Sequence, residues 1–428
     1  MNKFARSIAV LLTLLLAGCS RIALPGSASP TVGITPSPQP TVQIDQTPTS
    51  EETVPLNLQI WVPPAFDPTA DTPAAALFQN HLDAFSDRHP GVRVNVRVKA
   101  VDGSGGLLNS LATASEAAPL ALPDLVVLPL NKLGTAFEQD SVYAMDDLLG
   151  NPNDSDWYEF AQDMGVLNGS IYGLPLATDA LILVYRPAAL TDPPEDWDSA
   201  LETTGPLVFP AADPRADFTI AMYMSAGGTF QDEEGNLALD DVPLNQVFSF
   251  YQRAQFGGLM PFWLTQYSDY EQAYQALREN RATMTAVWLS HHIQEPDEGS
   301  ATALLPTFDG QPYTLVTGWV IASTNPDVSR HPINIELAEY LTESGFLSAW
   351  TAEAGYLPPR PSALANWPEG DYQAIASQAV SSAHIIPNEF VFDTFGTPLM
   401  ESVVAILKQE YDVNTAVETT IEKVTQTP

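Results

Sequence analysis

Chemistry in this chain would rest on carboxylates. Asp and Glu number 52 against 17 Lys and Arg, and Cys19 is the single thiol in 428 residues. Two carboxylates held about 5–10 Å apart hydrolyse glycosidic bonds, so composition leaves an extracellular glycoside hydrolase open. The other constellations carry less. His291 and His292 are adjacent and point to different sides of any strand or helix, and no HExxH spacing exists, so no metal site is expected. The acidic run DEEGNLALDD (232–241) brings Gly235 too early for a calcium loop and reads as a hairpin turn. GSGG (103–106) precedes no GK[ST], and no GxSxG occurs. No cofactor is expected.

The thiol has a chemistry of its own. Lys3 and Arg6 precede a short apolar run from Ile8 to Ala17, the layout of a secretory signal too short to span a membrane. Its end, Leu16-Ala17-Gly18-Cys19, resembles the bacterial lipobox, in which the thiol receives a diacylglyceryl group. Each buried CH₂ contributes about 0.8 kcal/mol, and two or more acyl chains hold stably where one holds only marginally. The reading is therefore a signal peptide over 1–18 and a lipid anchor at Cys19 on the outer face of the cell membrane. A lone cysteine forms no internal disulfide, and an acylated one is no nucleophile.

Residues 20–55 are rich in Ser, Thr and Pro and show no apolar period, so 19–55 reads as a disordered tether with a root-mean-square span of about 30–36 Å. The net charge of −35 repels phosphate backbones and offers no basic face to a membrane, which argues against nucleic-acid partners. No apolar stretch of about 20 residues is evident, so no transmembrane helix is expected.

The elements that must position any site begin at Leu56. LNLQIWV reads as a buried strand ending at Trp61. Leu77, Phe78, His81, Leu82 and Phe85 share a helical face that Pro90-Gly91 ends, and VRVNVRV (92–98) alternates as a half-buried strand. LVVL (125–128) and LILVY (181–185) are short apolar runs of the kind parallel strands show. SDYE (268–271) reads as a capping box opening a helix with Tyr270, Ala273, Tyr274 and Leu277 on one face. Strands alternating with amphipathic helices predict an α/β architecture, and the length predicts two or more domains.

In chain order the sequence carries FQNHLDAFSDRHPGVRVNV, LPDLVVLPLNKLGTAFEQDSVYAMDDLL, GSIYGLPLATDALILVYRPAAL, EDWDSAL, SAGGTFQDEEGNLALD, YEQAYQALRENRATMTAVW, LLPTFDGQPYTLVTGWVIAS and AGYLPPRPSAL. Together, over about residues 57–425, these resemble the extracellular solute-binding proteins of carbohydrate ABC transporters, the family that includes maltose-binding protein. The resemblance implies a periplasmic-binding-protein-like α/β fold of two lobes, each a mostly parallel sheet flanked by helices, joined by hinge strands. Matching segments place lobe 1 at 56–180 plus 320–365 and lobe 2 at 181–319 plus 366–428. It further implies a monomeric receptor that captures a sugar or oligosaccharide between the lobes and passes it to permease subunits. A carbohydrate sensor or adhesin on the same fold is the remaining reading.

Sugars present hydroxyls at the rim and C–H groups on their faces, so carboxylates, amides and flat aromatics are the partners to seek. By resemblance, Asp179 stands where maltose-binding protein has a ligand-binding glutamate, and Asn131 matches a sugar-binding aspartate. Lys132 replaces an arginine and loses its bidentate fork. Asp217, with Arg215 nearby, falls at a glutamate accompanied by a stacking tyrosine that is missing here. Trp288 lies two residues from the position of a stacking tryptophan, at Ser290, and Trp319 near the second hinge crossing. Trp61 is a third platform candidate. Phe395 neighbours the position of another stacking tryptophan, which here is Gly396. The pattern implies a sugar without implying maltodextrin.

Overall fold

Strand β1 (Leu56–Val62) forms because Leu58, Ile60 and Val62 alternate onto one buried face while Trp61 enters the other. The computed structural model describes residues 55–151, 154–232 and 235–426. The readings of a signal peptide, Cys19 acylation and a tether fall almost entirely outside the described residues. Parallel to β1 run β2 (Val92–Val98) on one side and β3 (Leu125–Pro129) on the other. Helix α1 (Pro73–Arg88) buries Phe78, Leu82 and Phe85, as its 3.6-residue period requires, and Thr72 caps it.

Two long strands carry the architecture. β4 (Leu174–Tyr185) is buried along all twelve residues. Before its midpoint it pairs antiparallel with β8 (Thr314–Ser323), from Leu174 to Ala180. From Leu181 onward it pairs instead with β6 (Met284–Trp288), and with β7 (Ala301–Ala303) at its end, both antiparallel. β5 (Leu207–Val208) lies parallel to β6, and β9 (Ala383–Ile385) parallel to β8. The sheet order is β2-β1-β3-β8-β4-β6-β5, with β9 and β7 beside β8 and β4. The sheet is thus mixed. The run at 181–185, read as a parallel strand, is antiparallel to every neighbour. Its unbroken apolar character comes from burial on both faces, which either pairing allows.

The remaining expectations are resolved locally. Helix α5 (Tyr270–Arg278) is capped by Asp269, whose side chain accepts the Gln272 N–H at 2.9 Å, so the cap is one residue later than the capping box read at SDYE. The turn at 232–241 is closed by a Gln231–Leu237 bridge. Helix α7 (Glu389–Leu407) is long and apolar enough to cross a membrane by length and composition alone, but 67% of its most apolar window is buried inside the protein, so it serves as a core helix here. It packs on Asp241–Gly257, here α4, and on the final helix Val413–Gln426.

Candidate functional site

Several candidate side chains lie at the carboxyl ends of strands. Trp61 lies one residue before the end of β1. Asn131 opens α2 (Leu130–Glu138) directly after β3, and Trp288 closes β6 just before α6 (Leu289–Gln294). Beyond β5 the turn Asp213-Pro214-Arg215-Ala216 leads into α3 (Asp217–Ser225). In open α/β sheets, crevices at these strand ends are where ligands bind.

Glu389, at the start of α7, ties the group together. Its Oε2 accepts hydrogen bonds from the Asn131 amide and from Arg215 Nη1, the latter at 3.1 Å. Lys132 Nζ is 3.9 Å from the other carboxylate oxygen and also pairs with Asp102. Arg215 Nε lies 3.4 Å from Asp217 Oδ1, and its guanidinium sits 3.9 Å from the centre of the Phe392 ring. Asp213 accepts the backbone N–H groups of Arg215 and Asp217 at 3.0 and 3.4 Å. The site is thus a carboxylate–guanidinium network whose cations are all engaged.

Two groups fall short of a hydrogen bond. Asp217 is 6% exposed, and its Oδ1 meets Arg215 Nε only as the ion pair at 3.4 Å, while the hydroxyl of Tyr270, 7% exposed, has no hydrogen-bond partner among the described residues. Tyr270 stands close enough to Asp213 and Asp217 for their charges to raise its pKa further, after the larger effect of burial. Burial also pushes Asp217 up to about 7 against the pull of Arg215, and raises Asp213. Trp288 meets the Tyr270 ring edge-on at 5.9 Å and is half-buried. An unpaired buried polar group costs about 1–3 kcal/mol, so the Tyr270 hydroxyl, beside an Asp217 oxygen with hydrogen-bonding capacity left, marks a place where the donors and acceptors of a ligand would gain.

The backbone is distorted at the same place. Ala216 adopts φ 55°, a left-handed conformation disfavoured for residues with a Cβ. Helix α7 widens to a π-helical turn over Phe392–Gly396, a feature often found at functional sites. Gly396 is required there. A Cβ on it would lie 2.4 Å from the Pro214 carbonyl oxygen.

The candidates named from sequence divide into three groups. Asn131, Arg215, Asp217 and Trp288 come together as described. Asp179 lies on β4, one residue before its change of partner, and is 6% exposed. Its carboxylate accepts the Ser290 N–H at 3.1 Å, the Ser290 hydroxyl at 2.5 Å and the Ala180 N–H at 2.9 Å, which ties β4 to the first turn of α6. Burial pushes its pKa up to about 7 despite those donors. Nearby, Tyr356 has its pKa raised by burial first and then by the charge of Asp179. Trp319 is half-buried and meets Phe66 edge-on at 5.4 Å. Trp61 and Phe395 present no open ring face. Trp61 is 3% exposed with the Lys99 ammonium 4.5 Å above it, and Phe395 is fully buried against Phe230. Sequence reasoning missed Glu389, Tyr270, Asp213 and Phe392. Tyr270 was read as a core position, and for Glu389 no local signal exists, because its partners lie about 170 and 260 residues away.

This chain matches the bacterial extracellular solute-binding proteins over residues 80–376, more than half its length. It belongs to that family. Its fold is shared with solved structures at low identity. The sugar-binding protein MalE from Xanthomonas citri aligns with TM-score 0.71 at 16% identity, covering 86% of this chain and 96% of that one. The cyclic α-maltosyl-1,6-maltose binding protein from Arthrobacter globiformis aligns with TM-score 0.70 at 17% identity, covering 86% and 98%. The maltose/maltodextrin-binding domain from Bdellovibrio bacteriovorus, bound to maltotriose, aligns with TM-score 0.62 at 19% identity, covering 87% and 99%. The α/β solute-binding fold expected from the sequence is therefore this protein's fold. Family membership makes it an exported protein of the periplasmic or extracellular side.

Proposed function

We propose that this chain is a lipid-anchored receptor that captures a sugar or oligosaccharide in the crevice around Arg215 and Asp217 and delivers it to an ABC permease, without turning it over. The observation that carries the reading is the buried Tyr270 hydroxyl, without a hydrogen bond among the described residues, and Asp217 Oδ1, which meets Arg215 only as an ion pair at 3.4 Å, beside the half-buried Trp288. Hydroxyls of a sugar rim would satisfy both, and an indole is the natural platform for its C–H face. The sugars bound by the fold's relatives support the same reading.

In this reading lobe 1 comprises 56–180 plus 320–365 and lobe 2 comprises 181–319 plus 366–428. The change of partner along β4 between Ala180 and Leu181 supports a crossing there. Asn131, Arg215, Asp217 and Trp288 contact the ligand. Trp319 and Trp61 border it, Asp179 positions the turn that presents Trp288, and Phe392 replaces Phe395 as the aromatic at the site. Cys19 carries the lipid, and the chain works as a monomer.

The test is a titration of intrinsic tryptophan emission against a panel of sugars, with product analysis and small-angle scattering. Saturable binding, no product and a smaller radius of gyration are expected. Turnover without compaction would mean a hydrolase groove instead. Release of a Cys19→Ala variant from carbonate-washed membranes checks the anchor.

A further inference from the structure

The charges around Asp217 bear on which sugars this site can take, an inference that rests on the receptor reading above. Every cation at the site is engaged by a carboxylate: Lys132 by Asp102 and Glu389, and Arg215 by Glu389 and Asp217. Asp213 adds a further acid beside them, holding backbone N–H groups alone. Asp213, Asp217 and Glu389 thus face Arg215, with Lys132 already matched by Asp102, and negative charge is in excess. The buried groups that lack a hydrogen bond agree. Asp217 Oδ1 can only accept when ionised, and the Tyr270 oxygen has free lone pairs. The ligand group that meets them must therefore be rich in donors, and a positive one gains most, because charge-assisted hydrogen bonds are about twice as strong as neutral ones. A carboxylate or phosphate would find every described cation at the site already paired and would leave Asp217 facing a like charge.

We propose that the site prefers a sugar bearing a free amino group, whose ammonium is held by Asp217 with help from Glu389 and the Tyr270 oxygen. A hydroxyl offers one donor in that place, whereas an ammonium offers three. The net charge of −35 also draws cationic ligands toward the protein.

Calorimetric titration of the full chain with matched β-1,4-linked oligosaccharides tests this, the sugars differing only at C2: hydroxyl, free amine or N-acetyl amine, plus a uronate series. The free amine is expected to bind at least tenfold more tightly than the hydroxyl form at low salt. The advantage should shrink as salt rises, and the uronate should bind most weakly. In Asp217→Asn the amine and hydroxyl forms should converge, with Glu389→Gln as a second variant should the first fold poorly. Equal affinities for amine and hydroxyl, or a uronate that binds best, would overturn the preference while leaving the receptor reading intact. No binding by any sugar in the panel would overturn both.

Discussion

Two aspartates in this protein have the same burial and the same shifted acidity, and their surroundings differ. Asp179 and Asp217 are each 6% exposed, and burial raises each to about 7. Asp179 is saturated, taking two donors from Ser290 and one from Ala180. Asp217 keeps an oxygen that meets Arg215 only as a 3.4 Å ion pair, and the nearby Tyr270 hydroxyl has no hydrogen bond among the described residues. A perturbed pKa reports desolvation in both places. What separates a scaffold carboxylate from a candidate binding carboxylate here is unused hydrogen-bonding capacity.

The largest effect expected from this contrast is on stability. Asp179→Ala strands the Ser290 hydroxyl and N–H in the interior, and each buried group left unpaired costs about 1–3 kcal/mol. A loss of about 2–4 kcal/mol in denaturant unfolding of the sugar-free protein is expected. An unchanged midpoint would return Asp179 to the ligand contacts that the resemblance assigned it.

Asp217→Ala should show the reverse balance. Sugar affinity should fall tenfold or more, while the free protein loses no stability near pH 7, because deleting a buried carboxylate whose pKa burial has raised also removes the cost of ionising it. Parallel losses of affinity and stability would erase the contrast.

The pH dependence sharpens it further. Asp217 titrates near 7 when folded and near 4 when unfolded, so between those values the folded chain holds the extra proton. Its contribution to stability is full below about pH 4 and is lost as the pH rises through 7. Asp217→Asn removes this group alone, so the wild type should lose up to about 1.4 kcal/mol per pH unit relative to the variant between pH 5 and 7. Melting curves of both proteins across that range measure it, and parallel curves would place the Asp217 pKa near its ordinary value.

The smallest effect concerns Tyr270→Phe. The hydroxyl has no hydrogen-bond partner among the described residues, so its removal should leave stability unchanged or slightly raised and weaken sugar binding by about 1 kcal/mol. An unaltered affinity would exclude Tyr270 from the site.

Much of this was legible along the chain. The alternation of VRVNVRV, the apolar face of α1 and the run LNLQIWV each specify an element locally, because side-chain period and backbone geometry are coupled within a few residues. The order of these segments also carries the family and its fold. Asn131, Arg215, Asp217 and Trp288 could be named because each stands in a recognisable local string.

Other features were decided by tertiary structure alone. An apolar run such as LILVY signals burial on both faces, and only its neighbours made it antiparallel. Phe392 and Phe395 are three residues apart, and packing alone put one under Arg215 and the other against Phe230. Glu389 has no local mark of importance, yet it joins Asn131 to Arg215 across the chain. Whether a buried carboxylate is saturated or left wanting a donor depends on what the fold brings within about 3 Å of it. That proximity is a property of long-range contacts, and no short string of residues encodes it.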